Sequence, residues 1–306
     1  MQKVLVTGGG GYKGVILTRK LLELGYPTTV IDNFMYGSEP LLHLASDPNL
    51  TIIKCDIRNG VPNLSDYDII IHLAGISGLP ACDANPSSAE MINVTATKQL
   101  TRSLSQDQLI IYASTTSFYG KSGKVSSEDS QVEPVSLYGA TKYRAEQIVN
   151  EHPNSISLRF ATVFGTSSRM RMDLMVNNFT YRAMKEGVVV LYDGHAVRTF
   201  IHVEDVADSY IFSIENSEEM IKGKIYNVGG KNLNHSKKQI AELVKSKIDY
   251  RIIESDIKDK DLRHFYINFD KIKNLGFVPK KTVQEGIDEL INIFKFYEPT
   301  SDFNVI

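Results

Sequence analysis

Val4-Leu5-Val6, a short apolar run of strand type, leads straight into glycines at positions 8, 11 and 14, and an amphipathic segment from Val15 to Leu24 follows, closed by Gly25. That order of strand, glycine-rich turn and helix constrains the fold more than anything else in the chain, because it separates a dinucleotide-binding turn from a chance cluster of glycines. Gly8 allows a sharp turn, Gly11 lets the backbone approach a pyrophosphate, and Gly14 lets the helix pack closely on its strand. The free N–H groups at the helix start, where Tyr12 and Lys13 sit, and the positive end of its dipole then face the phosphates.

A second strand-like run, Thr28-Thr29-Val30-Ile31, ends at Asp32-Asn33, about twenty residues beyond the glycines, where a dinucleotide-binding unit carries an acid. A carboxylate at Asp32 accepts hydrogen bonds from a ribose diol and repels a 2′-phosphate, so NAD is expected over NADP.

The length suffices for one large α/β domain or for a large domain with a smaller one, and the composition is that of an ordinary globular protein: 306 residues, 42% hydrophobic and 23% charged. Lys plus Arg number 34 against 36 Asp plus Glu, a net charge of −2, which gives no basis for wholesale binding to nucleic acid or an anionic membrane. No apolar run reaches the length of a membrane span, and the N-terminus has no signal-peptide character. Cys55 and Cys82 are the only cysteines, so a disulfide framework is not expected and a cytoplasmic location is.

Strand and helix signals alternate onward. Thr51–Lys54, running to Asp56-Ile57, then Ile69–Leu73 and Leu109–Tyr112 read as continuously apolar strands, with a helix around Ala89–Leu104. Such strands belong to a parallel sheet covered on both faces, whose ligands lie at the carboxyl ends. Asp32, Asp56, the turn Leu73-Ala74-Gly75 and Ala113-Ser114-Thr115 should therefore line one edge. Further helices are expected at Tyr138–Glu151, Asp173–Lys185, His202–Ile214, Lys237–Lys247 and Val283–Phe296, and strands at Ile156–Leu158, Val188–Leu191 and Ile225–Val228. The expected division is a dinucleotide domain over residues 1–165, to which later segments return, and a mainly substrate-binding lobe over 166–306.

The second chemical signal is Tyr138-Gly-Ala-Thr-Lys142. Residues four apart share a helix face, so phenol and ammonium point into one cleft. A free phenol, with a pKa of about 10, is a poor base at neutral pH, and a neighbouring cation favours its ionised form. Thr115 stands at the preceding strand end and supplies a hydroxyl.

With these motifs the chain resembles the extended short-chain dehydrogenase/reductases of the NAD-dependent epimerase/dehydratase family, which act on nucleotide sugars. TGGGGYKG, VIDN, KCDIRN, HLAG, ASTTSFYG, YGATK, SLRFATVFG, RTFIHVEDVADSY, YNVGG and NLGFVP occur in the family's order. The resemblance implies a Rossmann-type doubly wound sheet with a smaller mixed α/β lobe at the C-terminal end. It also implies that Gly8, Gly11, Gly14 and Asp32 hold NAD, with Asp56 and Ile57 at the adenine. Leu73, Ala74, Gly75 and Ala113 would lie along the cofactor, and Asn93 would support the site. Thr115 would orient the reacting hydroxyl, Tyr138 act as base and Lys142 anchor the nicotinamide ribose. Ser77, Thr116, Thr162, Arg198 and Arg263 fall at substrate positions, the two arginines gripping a diphosphate through forked hydrogen bonds. The family also suggests a homodimer.

Several positions depart from the family pattern. Lys13 replaces the usual apolar residue of the turn, Thr162 stands where many sugar epimerases have asparagine, and Ser77 replaces a lysine of galactose-type enzymes. Thr116-Ser117 lack the acid that 4,6-dehydratases place beside the threonine, which argues against dehydration. Arg169-Met-Arg-Met-Asp-Leu-Met-Val-Asn177 resembles a subgroup of 4-dehydrogenases that oxidise GDP-linked heptoses for capsular polysaccharide, and adds Arg169 and Arg171 as substrate candidates. The expected activity is oxidation at C4 of a nucleotide sugar, ending in epimerisation or in release of the keto sugar. A 4-ketoreductase or a non-catalytic dinucleotide sensor is the more distant alternative. The seven histidines show no metal-ligand spacing, and no metal is expected.

Overall fold

The computed structural model describes residues 1–120, 124–259, 263–264 and 266–299. Seven strands, β1 Val4–Thr7, β2 Thr28–Asp32, β3 Leu50–Lys54, β4 Ile69–His72, β5 Leu109–Thr115, β6 Ser155–Phe160 and β7 Ile225–Val228, form one sheet in the order β3-β2-β1-β4-β5-β6-β7. Every neighbouring pair is parallel. The strands expected from sequence are all present, and the order reverses at β1. The crevice between β1 and β4 is therefore the topological switch point at which such sheets bind ligands.

Alternation along each strand sends side chains to opposite faces. Val4, Val6, Ile69 and Ile71 join one core with helices Tyr12–Glu23 and Val203–Glu215, while Leu5, Ile31 and Ile70 join another with Ala96 and Leu100. Both faces are covered, which is why β1 and β4 are buried throughout. The expected helix around Ala89–Leu104 is interrupted: Pro86–Glu90 and Thr97–Arg102 are α-helical, but Met91–Ala96 between them is a π-helix. Such wide turns re-aim side chains and concentrate at functional sites.

A separate core, including Phe164, Met172, Val176, Leu191, Phe200, Ile240 and Leu290, holds the smaller lobe. Its elements include strands Thr162–Phe164, Val188–Tyr192 and Val197–His202 and helices Met175–Lys185, Lys237–Lys245 and Val283–Ile293. Helix Val203–Glu215 and β7 lie instead with the main sheet. Among the described residues no helix is long and apolar enough to cross a membrane, and no group of acids, histidines and cysteines is arranged to hold a metal ion.

His72 ends β4 fully buried between two hydroxyls, Nδ1 at 2.7 Å from Thr7 Oγ1 and Nε2 at 2.9 Å from Thr97 Oγ1. Thr7 Oγ1 also accepts the Ala74 N–H at 3.3 Å, which ties the turn after β4 to the end of β1. Burial, with Lys142 nearby, pushes the imidazole pKa down to about 3. The unfolded chain takes up this proton near pH 6.5, so His72 contributes stability that is complete above that pH and lost as the pH falls toward 3. Wild type should lose about 2 kcal/mol through this residue between pH 6.5 and pH 5. Urea unfolding of a His72→Gln variant should show that much less pH dependence, and coincident slopes would remove the assignment.

Candidate functional site

The glycine turn is shaped for a close approach. Gly8 has φ +72°, and a Cβ there would lie 2.7 Å from Ala74 N; one at Gly14 would lie 2.4 Å from Gly8 O and 2.6 Å from Gly9 Cα. Neither position tolerates a side chain, because the obstructing atoms are backbone. Gly11 caps helix Tyr12–Glu23 without a side-chain hydrogen bond, and no acid occupies the first turn, which leaves the helix N-terminus to an anion. Asp32 braces the turn, Oδ2 accepting from Gly10 N at 3.0 Å and Oδ1 from Phe34 N at 2.9 Å. Burial raises its pKa against the pull of those N–H donors. A backbone cradle, an open helix start and a strand-end carboxylate together fit a dinucleotide.

The rest of this edge is bound into the fold. Asp56 accepts from Arg58 Nη2 at 2.6 Å and Nε at 2.9 Å, and from Asn33 Nδ2 at 3.4 Å, and the Arg58 hydrogen bond holds its carboxyl far below the usual range. Ile57 is buried beside it. Asn93, on the π-helix and 1% exposed, accepts from Ile76 N at 2.8 Å and donates to Ile76 O at 3.0 Å and to Thr141 Oγ1 at 3.1 Å. Its side chain thus holds the loop after Gly75 against the helix Leu137–Asn150, a supporting position, while its amide is occupied by protein partners.

Helix Leu137–Asn150 is capped by Ser136, whose Oγ accepts from Gly139 N at 3.1 Å. That fixes Tyr138 in the first turn and Lys142 one turn on. Lys142 is buried, its Nζ 4.1 Å from the Tyr112 ring centroid, and burial followed by the charge of Lys13 holds its pKa well below that of an ordinary lysine. Thr115 ends β5, and its hydroxyl donates to Ser117 Oγ at 3.0 Å and accepts from Ser117 N at 3.1 Å. Ser117 Oγ also accepts from Arg263 Nη1 at 2.7 Å. Arg263 O in turn accepts from buried Arg198, which donates to Val197 O at 3.0 Å as well. The fold therefore links Thr115 to both arginines expected at a diphosphate, although they lie 65 residues apart. Thr116 Oγ1 donates to Phe160 O at 3.1 Å, so its hydroxyl serves the strand, and Ala113 is buried in β5.

The profile of the NAD dependent epimerase/dehydratase family matches residues 4–229. The chain belongs to this family. NAD is accordingly its cofactor. A putative UDP-glucose 4-epimerase of Methanocaldococcus jannaschii is 25% identical over 95% of this chain and 98% of its own length. The CDP-paratose 2-epimerase of Salmonella typhi is 28% identical over 94% of this chain and 98% of its own. Among solved structures, UDP-glucuronic acid 4-epimerase from Bacillus cereus, in complex with UDP-glucuronic acid and NAD, has the same fold, with a TM-score of 0.86 at 23% identity over 96% of this chain and 99% of its own.

Within this family member, the segment Gly165–Leu174 straps across the glycine turn. Tyr12 donates its phenol proton to Gly165 O at 2.7 Å, and Ser167 Oγ donates to Tyr12 O at 2.8 Å. The Tyr12 side chain is thereby committed to the strap, leaving its backbone N–H for a cofactor, and burial raises the phenol pKa far above normal. The strap separates the two arginines that the sequence grouped as substrate candidates. Arg169 is buried 4.6 Å from the Tyr36 ring centroid, donates to Met170 O at 2.5 Å and acts on the charge of Asp32. Its charge acting on Asp32 and its contact with Tyr36 put it at the Asp32 end of the site. Arg171 points the other way, pairing with Asp173 at 2.5 and 2.9 Å and donating to Ser77 Oγ at 3.2 Å. Met170 and Met172 are core residues, and Thr162 lies half-buried on the strand paired with Phe200.

Glu146 and Arg159 are absent from the sequence-derived site, yet they hold it. Glu146 is 1% and Arg159 3% exposed, joined at 2.7 Å, with Ser114 Oγ donating to Glu146 Oε2 at 2.6 Å. Tyr138, Lys142 and Glu146 recur every four residues on one helix face. That spacing, with a lone arginine inside the apolar strand Ser-Ile-Ser-Leu-Arg-Phe, was the available signal.

Proposed function

We propose that this chain oxidises C4 of a nucleotide-activated sugar, as a nucleotide-sugar 4-epimerase or 4-dehydrogenase of cell-surface polysaccharide synthesis. The observation that carries this reading is Tyr138 and Lys142 on one face of a capped helix, with the Thr115 hydroxyl at the adjacent strand end. Tyr138 removes the proton of the reacting hydroxyl, Thr115 holds that oxygen, and Lys142 supplies positive charge beside the phenol and a donor to the nicotinamide ribose. When bound, NAD supplies the hydride acceptor. Gly8, Gly11 and Gly14 admit its pyrophosphate and Asp32 its adenosine ribose, while Arg263 and Arg171 would meet the substrate's charged groups, with buried Arg198 holding the Arg263 backbone behind them. Neither Thr116 nor Ser117 can protonate a leaving hydroxyl, which disfavours a 4,6-dehydratase.

The resemblance of Arg169–Asn177 to heptose enzymes favours a GDP-heptose 4-dehydrogenase that releases the keto sugar as the second reading. In either case residues 1–165 serve the cofactor and 166–306 mainly the sugar. The helices near Asn93–Leu104 and Tyr138–Glu151 would pair across a cytoplasmic homodimer, an idea that a monomer mass by light scattering would end. The decisive experiment supplies UDP-, GDP-, CDP- and dTDP-sugars and follows NADH absorbance together with product stereochemistry. An inverted C4 identifies the epimerase, stoichiometric NADH with a keto sugar identifies the dehydrogenase, and no reaction with any sugar overturns the proposal.

A further inference from the structure

Lys13 occupies the dinucleotide turn itself, but its side chain leaves the phosphate-binding backbone behind. Its Nζ lies 5.0 Å from the ring centroid of Phe160, the last residue of β6. Phe160 is the register partner of Thr115, and Phe160 O accepts from Thr116 N at 3.0 Å. The ammonium is thus over the ends of β5 and β6, on the catalytic side of the switch point and away from Asp32 and β2. Lys142 feels its charge, and Lys13 itself feels that of Arg171. Arg171 is answered by Asp173. Lys13 pairs with no carboxylate and makes no hydrogen bond among the described residues. Burial and Arg171 lower its pKa to about 8, the cost of keeping this charge where it is.

An uncompensated cation among the reacting groups acts on whatever charge changes there. Hydride transfer requires the nicotinamide to lie against the sugar carbon held by Thr115 and Tyr138, so a charge at this place is a charge beside the ring. The oxidised ring is a cation and the reduced ring is neutral. Two like charges in a partly desolvated site repel strongly, whereas a neutral ring escapes that repulsion. Resting on the functional reading above, we infer that Lys13 is a redox-poising residue: it selects NADH over NAD and draws the bound equilibrium toward keto sugar plus NADH. A pyrophosphate clamp would be insensitive to oxidation state, and a contact to an acidic sugar would change substrate preference alone.

The test dialyses purified protein against fixed mixtures of NAD and NADH, without sugar, and measures the ratio retained by chromatography of the released nucleotides. Wild type should be enriched in NADH relative to Lys13→Met by about ten-fold, equal to about 30 mV for a two-electron couple. Lys13→Ile should agree with Lys13→Met, and Lys13→Arg should keep the wild-type ratio. An unchanged ratio in both neutral variants overturns the inference, whether nucleotide binding is undiminished, equally weakened for both forms, or accompanied by a selective rise in KM for a sugar acid. If wild type retains neither nucleotide, the functional reading falls with it. If the ratio behaves as expected but no nucleotide sugar reacts, the poising role survives and the sugar assignment does not.

Discussion

Tyr138→Phe is expected to lower turnover of the responsive nucleotide sugar by about 10²–10⁴-fold, the range for losing a positioned general base. The reason lies in what the substitution leaves alone. Tyr138 is half-buried in the first turn of its helix, and its hydroxyl makes no hydrogen bond to another described residue. Removing that oxygen strands no buried partner and opens no core cavity, so unfolding free energy should stay within about 0.5 kcal/mol. The glycine turn follows β1 and Asp32 ends β2, and neither hydrogen-bonds to Tyr138, so NAD affinity should persist. Equilibrium binding of NAD and single-turnover formation of NADH, measured on the same preparation, separate the steps. Activity within a few-fold of wild type would remove Tyr138 as the base; loss of NAD binding would make its role structural.

What could be read before the structure was local. The glycines, Asp32 and the Tyr138–Lys142 pair each rest on a short spacing whose meaning is fixed by one turn or one helix. Continuous apolar strands announced a sheet buried on both faces, and β1, β4 and β5 are buried throughout. Tertiary path was not legible. Arg169 and Arg171 are two residues apart and looked equivalent, but the hydrogen bonds of Tyr12 to Gly165 and Ser167 decide how the strap crosses the turn. One arginine then falls beside Tyr36 and the other beside Ser77. Asn93 was recognisable as a site residue, while the π-helical turn that aims it at Ile76 and Thr141 depends on packing that no periodicity reports.

The buried ion pair shows the same limit and carries the largest stability effect expected here. Glu146, on the helix that presents Tyr138 and Lys142, receives Arg159 Nε at 3.0 Å and Nη2 at 2.7 Å. Arg159 Nη1 donates onward to Tyr119 Oη at 2.6 Å, which donates to Asn227 Oδ1 on β7 at 2.8 Å. One network therefore joins the helix to β5, β6 and β7. Glu146→Gln keeps the shape but removes the charge, leaving a buried guanidinium without its counter-ion and turning an amide donor toward groups that also donate. Breaking a buried pair in this way costs about 3–5 kcal/mol, on the order of 10 °C in Tm for a domain of this size. Glu146 also opposes the fall in the Lys142 pKa, so the variant should lose activity at neutral pH even at temperatures where it remains folded. Replacing both partners, Glu146→Leu with Arg159→Met, should recover the part of the loss that belongs to the orphaned charge, leaving the smaller cost of the Ser114 hydroxyl without its acceptor. The Lys142 effect would remain in the double variant. A single variant that costs less than about 1 kcal/mol, the scale of an exposed pair, would show that water reaches this network and that the helix is held by its apolar contacts alone.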